Sequence, residues 1–379
     1  MARVLAMEYR LTCPRCGFTS EPEPRLTRCP RCGEPLIISL VSGEPCRPEG
    51  RGVWRYRCMM PSPLRTASPV SLGEGGTPML RRSLGGVEAW LKLEYLNPLG
   101  SFKDRGVSVV ATLARLMGYE ALVEDSSGNT GLSTAGYAAA AGMRARIYVP
   151  RDAPQGKKQL VRLLGASLVE ADTRGDAARL AEEELRAGEY HVAHTWNPWF
   201  IEGTTTIAYE AAEDASWSVP DAVVAPVASG TLFLGIYYGF ERMKMLGMVD
   251  AGPPRMIAVQ ALGTTPIYRE LHGEEPQGSS SLVDALRVAS PPRLREIAEI
   301  IRRTGGDVII VGDGDVMRSL RELVRGGLVV EPTSAAAHAG LVKALGEGLV
   351  ERGERILVPL TGTGFKTLDT LLEVVYSHG

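Results

Sequence analysis

The sequence predicts an α/β protein with mainly parallel sheet. Three observations predict it: from about residue 87 short apolar runs alternate with longer amphipathic ones, glycines follow several amphipathic runs, and the apolar content is ample. At 379 residues, 44% hydrophobic and 23% charged, the chain has material for two or three domains of about 100–200 residues.

The elements follow in order. A largely apolar run at 87–93 (VEAWLKL) reads as the first strand of this region. A helix is expected over 101–117, opening at Ser101 with Asp104 three residues on, a capping-box-like start, and closing before Gly118. Strand 121–124 leads to helix 130–141, which ends before Gly142. Strand 146–149 leads to helix 155–164, which ends before Gly165, and strand 167–170 leads to helix 176–187. Helix 201–213 precedes strand 221–227 and helix 231–246, closed by Gly247. Strands 256–261 and 308–311, helices 316–324 and 333–345, and strand 356–360 complete the pattern. The four glycines stand where a left-handed residue ends a helix. Parallel α/β sheets bind ligands at the loops leaving the carboxyl ends of their strands, so those loops should carry the chemistry.

Charge excludes some classes. Lys+Arg 42 against Asp+Glu 44 gives a net charge of −2, unlike a protein built to grip a phosphate backbone, so no nucleic-acid partner is expected. No apolar run approaches the ~20 residues of a membrane span, and residues 1–10 lack a signal-peptide core. The expectation is a cytoplasmic protein with no membrane partner.

Four cysteines form two pairs, Cys13-Pro-Arg-Cys16-Gly and Cys29-Pro-Arg-Cys32-Gly, in the spacing C-x2-C-x12-C-x2-C. Each knuckle turns two thiolates towards one centre, and the glycine after the second cysteine accepts positive φ. Two knuckles make a tetrahedral four-sulfur site, which suits a structural Zn²⁺ because no ligand position is left open. Disulfides are the alternative. Residues 1–42 are read as a zinc ribbon and 43–86 as a connector with the N-terminal part of a large subdomain. Residues 87–379 form the main region, with a small subdomain at roughly 105–200. Cys46 and Cys58 are expected to be unpaired small side chains.

Three loops are chemically informative. Lys103, in Asn97-Pro98-Leu99-Gly100-Ser101-Phe102-Lys103-Asp104-Arg105-Gly106, falls in the first turn of a helix, near its positive end and near Arg105. Both oppose protonation, so it is a candidate Schiff-base nucleophile among only seven lysines; a surface residue is the alternative. Ser126-Ser127-Gly128-Asn129-Thr130-Gly131 opens a helix with hydroxyls, an amide and backbone N–H groups suited to a carboxylate, although a helix cap alone could explain Ser127 or Asn129. Ala228-Ser229-Gly230-Thr231-Leu232 is a candidate phosphate cradle. No dinucleotide fingerprint, P-loop, HExxH pair or GxSxG elbow is present.

In order, these loops resemble the pyridoxal-phosphate enzymes of fold type II, the tryptophan-synthase β group. The resemblance rests on Gly73-Glu74-Gly75-Gly76-Thr77-Pro78, Asn97–Gly106, Ser126–Gly131 and Ile201-Glu202-Gly203, and on Ala228–Leu232, Glu331-Pro332 and Leu360–Lys366. Together they span about residues 73–367. Within the group, the cysteine-rich N-terminus, the NPxGSFKDRG run and the TGxGxK ending are most similar to the threonine synthases.

The resemblance implies two open parallel α/β subdomains and pyridoxal 5′-phosphate held covalently by Lys103. It implies Asn129 on the ring O3′, Ser126, Ser127 and Thr130 on the substrate carboxylate, Ala228 to Leu232 around the cofactor phosphate, and Thr361 facing the pyridine nitrogen. A hydroxyl there leaves that nitrogen largely unprotonated, which favours elimination and replacement over transamination. The activity implied is conversion of O-phosphohomoserine and water to threonine and phosphate, in a homodimer. The alternatives are a fold type II enzyme acting on another amino acid, by β-replacement or by serine/threonine deamination, and a non-catalytic zinc-ribbon interaction protein. One segment departs from the threonine-synthase pattern. His194-Thr195-Trp196-Asn197-Pro198-Trp199-Phe200 places Phe200 where an Arg helps hold the substrate phosphate, and Thr205 stands where a Lys is usual. His194, Thr195, Thr205 and Lys157 or Lys158 are the candidate replacement donors.

Overall fold

The computed structural model describes residues 7–376 except Ser127, Asp152 and Pro154. The chain forms two units, one from the described residues of Met1–Gly76 with Asn97–Thr206, the other from Thr77–Leu96 with Ile207–Gly379. Among the described residues no helix is long and apolar enough to cross a membrane.

The first unit begins with a three-stranded antiparallel sheet, Thr19–Ser20, Glu8–Thr12 and Ile37–Ser42 in that order. Tyr9, Leu11, Leu36 and Ile38 are buried on or beside this small sheet, and the two cysteine turns complete the module. Gly17 and Gly33 take φ of 68° and 75°, and each donates its N–H to the carbonyl of the first cysteine in its turn. The main sheet of this unit is parallel, ordered Ser167–Ala171, Arg144–Pro150, Ala121–Glu124, Glu189–His191. The chain lays its first three strands outward from Ala121–Glu124, then returns to add Glu189–His191 on the other side. The strand order therefore reverses between Ala121–Glu124 and Glu189–His191, and open parallel sheets bind ligands at the carboxyl ends of strands at such a point.

The second unit repeats the device. Its six-stranded sheet runs Val308–Val311, Arg255–Ala261, Ala222–Pro226, Arg355–Pro359, Val87–Lys92, Met79–Leu84, all parallel except the last, an antiparallel edge strand. Here the order reverses between Ala222–Pro226 and Arg355–Pro359. The core of this unit is the sheet packed with Val, Ile and Ala side chains, including the buried Ala335, Ala336, Ala337 and Ala339 of helix Pro332–Gly346. Small side chains let that helix lie close on the strands.

All eight strands and eight helices expected from residue 87 onward are present within a few residues. The four glycines after helices take φ of 68–82°. Helix 176–187 is displaced to Arg174–Glu183, because the Thr173 hydroxyl accepts the Asp176 N–H and caps it two residues earlier. The capping box expected at Ser101 does not form: the helix is Lys103–Leu116, and among the described residues the buried Ser101 hydroxyl has no hydrogen-bond partner. Asp104 instead accepts from Leu99 N at 2.7 Å and from Ser133 Oγ, which ties the loop to helix Asn129–Ala140. Cys46 and Cys58 are not the unpaired residues expected; they form a disulfide across the connector. They are 12 positions apart, and the chain turns between them into the 3-10 helix Val53–Met59, which carries Cys58 back to Cys46, a closure that spacing alone did not signal.

Candidate active site

In both units loops singled out by the sequence sit where the strand order reverses, whereas the Lys103 loop follows strand Val87–Lys92 away from either reversal. In the first, Ser126 and Asn129 follow Ala121–Glu124, while His194 and Thr195 follow the adjacent Glu189–His191. In the second, Ala228 to Leu232 follow Ala222–Pro226, and Thr361 follows the adjacent Arg355–Pro359.

Lys103 is the first residue of its helix, half-buried, with Nζ 4.9 Å from the Phe102 ring centroid and 5.4 Å from that of Phe200. Apolar ring faces lower the local polarity while their negative quadrupoles still attract the ammonium. Other lysines are engaged elsewhere. The Lys92 amine lies 2.5 Å from Thr77 O and 3.0 Å from Glu210; Lys158 holds Arg151 O at 2.7 Å and Glu170 at 3.2 Å. Lys343 donates to Ile310 O and Lys244 to Asp250 O.

The helix after Ser126 starts at Asn129, with Gly128 as its N-cap and no side chain capping it. Asn129 therefore does not serve as the cap, and the first-turn N–H groups remain oriented towards the loop. Ser126 Oγ accepts from Gly128 N at 3.2 Å, and Thr130 is buried. Gly131 is compact by necessity, since a Cβ there would overlap the Ser126 carbonyl. Ser127 lies outside the described residues.

The cradle candidate is built likewise. Gly230, at φ 92°, is the N-cap of helix Thr231–Met245, again without a side-chain cap. Ser229, Thr231 and Leu232 are buried and Ala228 is half-buried. A helix N-terminus of this kind, 15 residues of aligned peptide dipoles behind it, favours a bound phosphate. Thr361 is 2% exposed, its Oγ1 3.2 Å from Ser334 Oγ and donating to Glu331 Oε1 at 3.4 Å. Ser334 also accepts from Gly362 N at 2.9 Å. The sequence reading missed Ser334 and the closeness of the Glu331 carboxylate; the Glu331-Pro332 helix start was the available signal.

The departing segment is tightly held. Asn197, fully buried, donates to Val192 O at 3.1 Å and accepts from Trp199 N at 3.1 Å. Phe200 is fully buried on helix Pro198–Asp214, and a Cβ on Gly106 would come 2.6 Å from its ring. Thr205 is buried with its hydroxyl donating to Glu202 O at 2.7 Å, so it is not available as a replacement donor, nor is Lys158. Thr195 is half-buried, and the Lys157 side chain lies outside the description.

His194 Nδ1 lies 2.6 Å from Glu124 Oε1, and the His194 and Phe200 rings are 5.9 Å apart. Nearby, burial opposes protonation of His191, but the Asp125 carboxylate 3.6 Å away and the charge of Glu124 outweigh it and raise its pKa. Burial likewise raises Asp125, and the two histidines pull it below the usual carboxylate range. The sequence reading did not single out Glu124, Asp125 or His191; two adjacent acids closing an apolar strand were the signal.

Cys13, Cys16, Cys29 and Cys32 converge, their sulfurs all within 4.8 Å of one another, with Cys13–Cys32 and Cys16–Cys29 contacts of 3.5 Å. The disulfide alternative is not realised here: all four are free thiols.

Each unit carries features that suit part of pyridoxal phosphate: the first has an uncapped helix N-terminus, one lysine beside aromatic rings and, two residues before it, a buried Ser101 hydroxyl with no partner among the described residues. The second has an uncapped helix N-terminus suited to a phosphate. Comparison with known proteins agrees. Threonine synthase of Methanocaldococcus jannaschii is 33% identical, covering 95% of this chain and 93% of that protein. Threonine synthase of Methanosarcina acetivorans is 30% identical, covering 97% and 94%. A fungal L-serine ammonia-lyase from Rhizomucor miehei shares the fold with a TM-score of 0.69 at 21% identity, covering 81% of this chain and 98% of that one. The family model described as pyridoxal-phosphate dependent enzyme matches residues 70–362, and the chain belongs to that family.

Proposed function

We propose that the protein is a threonine synthase-like lyase that converts O-phosphohomoserine and water to threonine and phosphate. The observation that carries this reading is likeness to two archaeal threonine synthases over nearly the whole chain, joined to a helix-start lysine and to loops at the strand-order reversals of each unit.

Bound pyridoxal phosphate supplies an electron sink for carbanions formed at the substrate's Cα and Cβ. Lys103 Nζ anchors it and moves protons at those carbons once displaced. The Asn129 amide donates to the ring hydroxyl oxygen, and the N–H groups around Ala228, Ser229, Gly230, Thr231 and Leu232 hold the cofactor phosphate. Ser126, Ser127 and Thr130 hold the substrate carboxylate, with His194 and Thr195 beside its departing group. The Thr361 hydroxyl faces the ring nitrogen, steadied by Ser334 and Glu331. Cys13, Cys16, Cys29 and Cys32 hold one structural zinc ion. The protein works as a cytoplasmic homodimer.

Phe200 favours a second reading, a sister enzyme acting on an unphosphorylated amino acid, because a buried ring offers a phosphate dianion no charge. The two are separated by incubating the protein with O-phosphohomoserine, O-phosphoserine, threonine and serine in turn, and assaying phosphate, threonine and keto acid. Equal release of phosphate and threonine from O-phosphohomoserine supports the first reading; keto acid from threonine or serine, without phosphate release, replaces it by the second.

A further inference from the structure

We propose that Glu124, Asp125 and His194 form a binding site for a divalent first-row transition cation at the carboxyl end of the first unit's parallel sheet. One carboxylate oxygen from each acid and a ring nitrogen of His194 lie within 4.8 Å of one another. A cation with bonds of 2.0–2.2 Å to such atoms needs them roughly 3–3.5 Å apart, so side-chain rotation of about an ångström completes the set.

The placement follows from the fold. Glu124 closes strand Ala121–Glu124, and His194 follows Glu189–His191, the strand paired with it in register Val123↔His191. Consecutive strand residues point to opposite faces, but the strand ends at Glu124, so Asp125 escapes that alternation and turns to the same side.

An independent observation points to a ligand. Glu124 is fully buried, and among the described residues its Oε2 has no hydrogen-bond partner, while Oε1 meets His194. A buried carboxylate with an idle oxygen is costly unless something cationic meets it. His191 faces Asp125 at 3.6 Å, beyond hydrogen-bond range, and balances part of the negative charge without filling the vacancy at Glu124. One imidazole with two carboxylates is a donor set of intermediate hardness, suited to Mn²⁺ or Zn²⁺ rather than to a thiolate-seeking ion.

Three protein ligands leave at least one coordination position for water or an anion. Such a cation would place positive charge within reach of Phe200, which offers none. That use rests on the phosphate-ester reading above; the site does not.

Mn²⁺ is the probe, because it discriminates against the cysteine site. The full-length protein, zinc-loaded and carrying its cofactor, is titrated with Mn²⁺ in the absence of substrate, and free Mn²⁺ is followed by electron paramagnetic resonance. The expected result is saturable binding near one ion per chain, weakened about tenfold or more in both Asp125→Asn and His194→Gln. Mn²⁺ should also raise the thermal midpoint of the wild type and not of the variants. Asp125 is only half-buried, so that variant tests the site without emptying a core position. No saturable binding by the wild type up to millimolar Mn²⁺, or equal binding by both variants, overturns the proposal. A failure to process O-phosphohomoserine, with Mn²⁺ binding intact, counts only against the substrate.

Discussion

At the scale of single residues, Lys103 and Phe200 have opposite burdens. Lys103 is expected to supply covalent attachment and proton transfer, neither of which the fold needs. Lys103→Ala should therefore abolish turnover while leaving the thermal midpoint within a degree or two of wild type, read by differential scanning fluorimetry. Phe200 is held by packing, with Gly106 shaped to its ring and Lys103 above it. Phe200→Arg would seat a second cation beside Lys103 in a buried space, costing several kcal/mol in stability, on the order of 3–5. The measurement is chemical denaturation, and a lower Michaelis constant for O-phosphohomoserine in that variant would show instead that the guanidinium finds a phosphate. Glu74 illustrates a site motif that the structure explains as scaffold. Its buried carboxylate accepts from Trp54 Nε1 at 3.0 Å, Ser108 Oγ at 2.5 Å, Tyr137 OH at 2.8 Å and Leu72 N at 2.9 Å. Glu74→Ala leaves the Tyr137 hydroxyl and the Leu72 N–H without their acceptor, while Trp54 Nε1 keeps Ser108 Oγ at 2.9 Å and Ser108 Oγ keeps Val70 O at 2.7 Å. The variant should cost about 2–3 kcal/mol by denaturant titration, with the cofactor still bound in whatever fraction folds.

At the scale of elements, the strand ends carry both the chemistry and the acid sensitivity. Asp221, just before strand Ala222–Pro226, accepts from Arg355 N at 2.8 Å and Arg355 Nε at 3.2 Å, pinning the start of strand Arg355–Pro359. Burial alone would raise its pKa, but the Arg355 side chain and backbone outweigh that and hold it below the ordinary value. A depressed carboxylate stabilises the fold above its unfolded pKa, near 3.8, and loses that contribution as pH falls through the folded value. Asp221→Asn should thus lower the thermal midpoint at pH 6, and the gap to wild type should narrow as pH falls below the unfolded value and through the lower folded one.

The sequence was most legible where periodicity was strong. Strands 121–124 and 308–311 were expected with the boundaries they have, because each is a run of four apolar or nearly apolar residues bounded by polar and glycine-bearing turns. Strand Glu189–His191 has three residues, two of them polar, and strand Met79–Leu84 sits on a sheet edge with exposed arginines, so neither shows an apolar run. Helix Leu294–Thr304 was also unforeseen, though Ile297, Ala298, Ile300 and Ile301 mark one buried face. The site loops were legible as motifs, whereas Glu124 and Asp125 were not, because their meeting with His194 depends on strands 65 or more residues apart becoming neighbours.

At the scale of the whole molecule, the cysteine module is attached to the chemistry through specific contacts. Arg28 lies 4.0 Å over the Trp196 ring and pairs with Glu182, and Tyr190 OH donates to Pro24 O at 2.7 Å. Trp196 follows His194 and Thr195, so loss of the zinc proposed for the four cysteines should loosen that loop. If the four thiols hold zinc, a chelator should lower the thermal midpoint and raise the Michaelis constant more than it lowers kcat, a split that steady-state kinetics before and after added zinc would resolve. The central claim is that this family fold uses Lys103 to hold its cofactor. Borohydride reduction of the yellow protein followed by peptide mass mapping tests it most directly: the reduced cofactor should appear on the peptide containing Lys103 and vanish in Lys103→Ala, whereas label on another lysine, or a protein that takes up no pyridoxal phosphate, would contradict it.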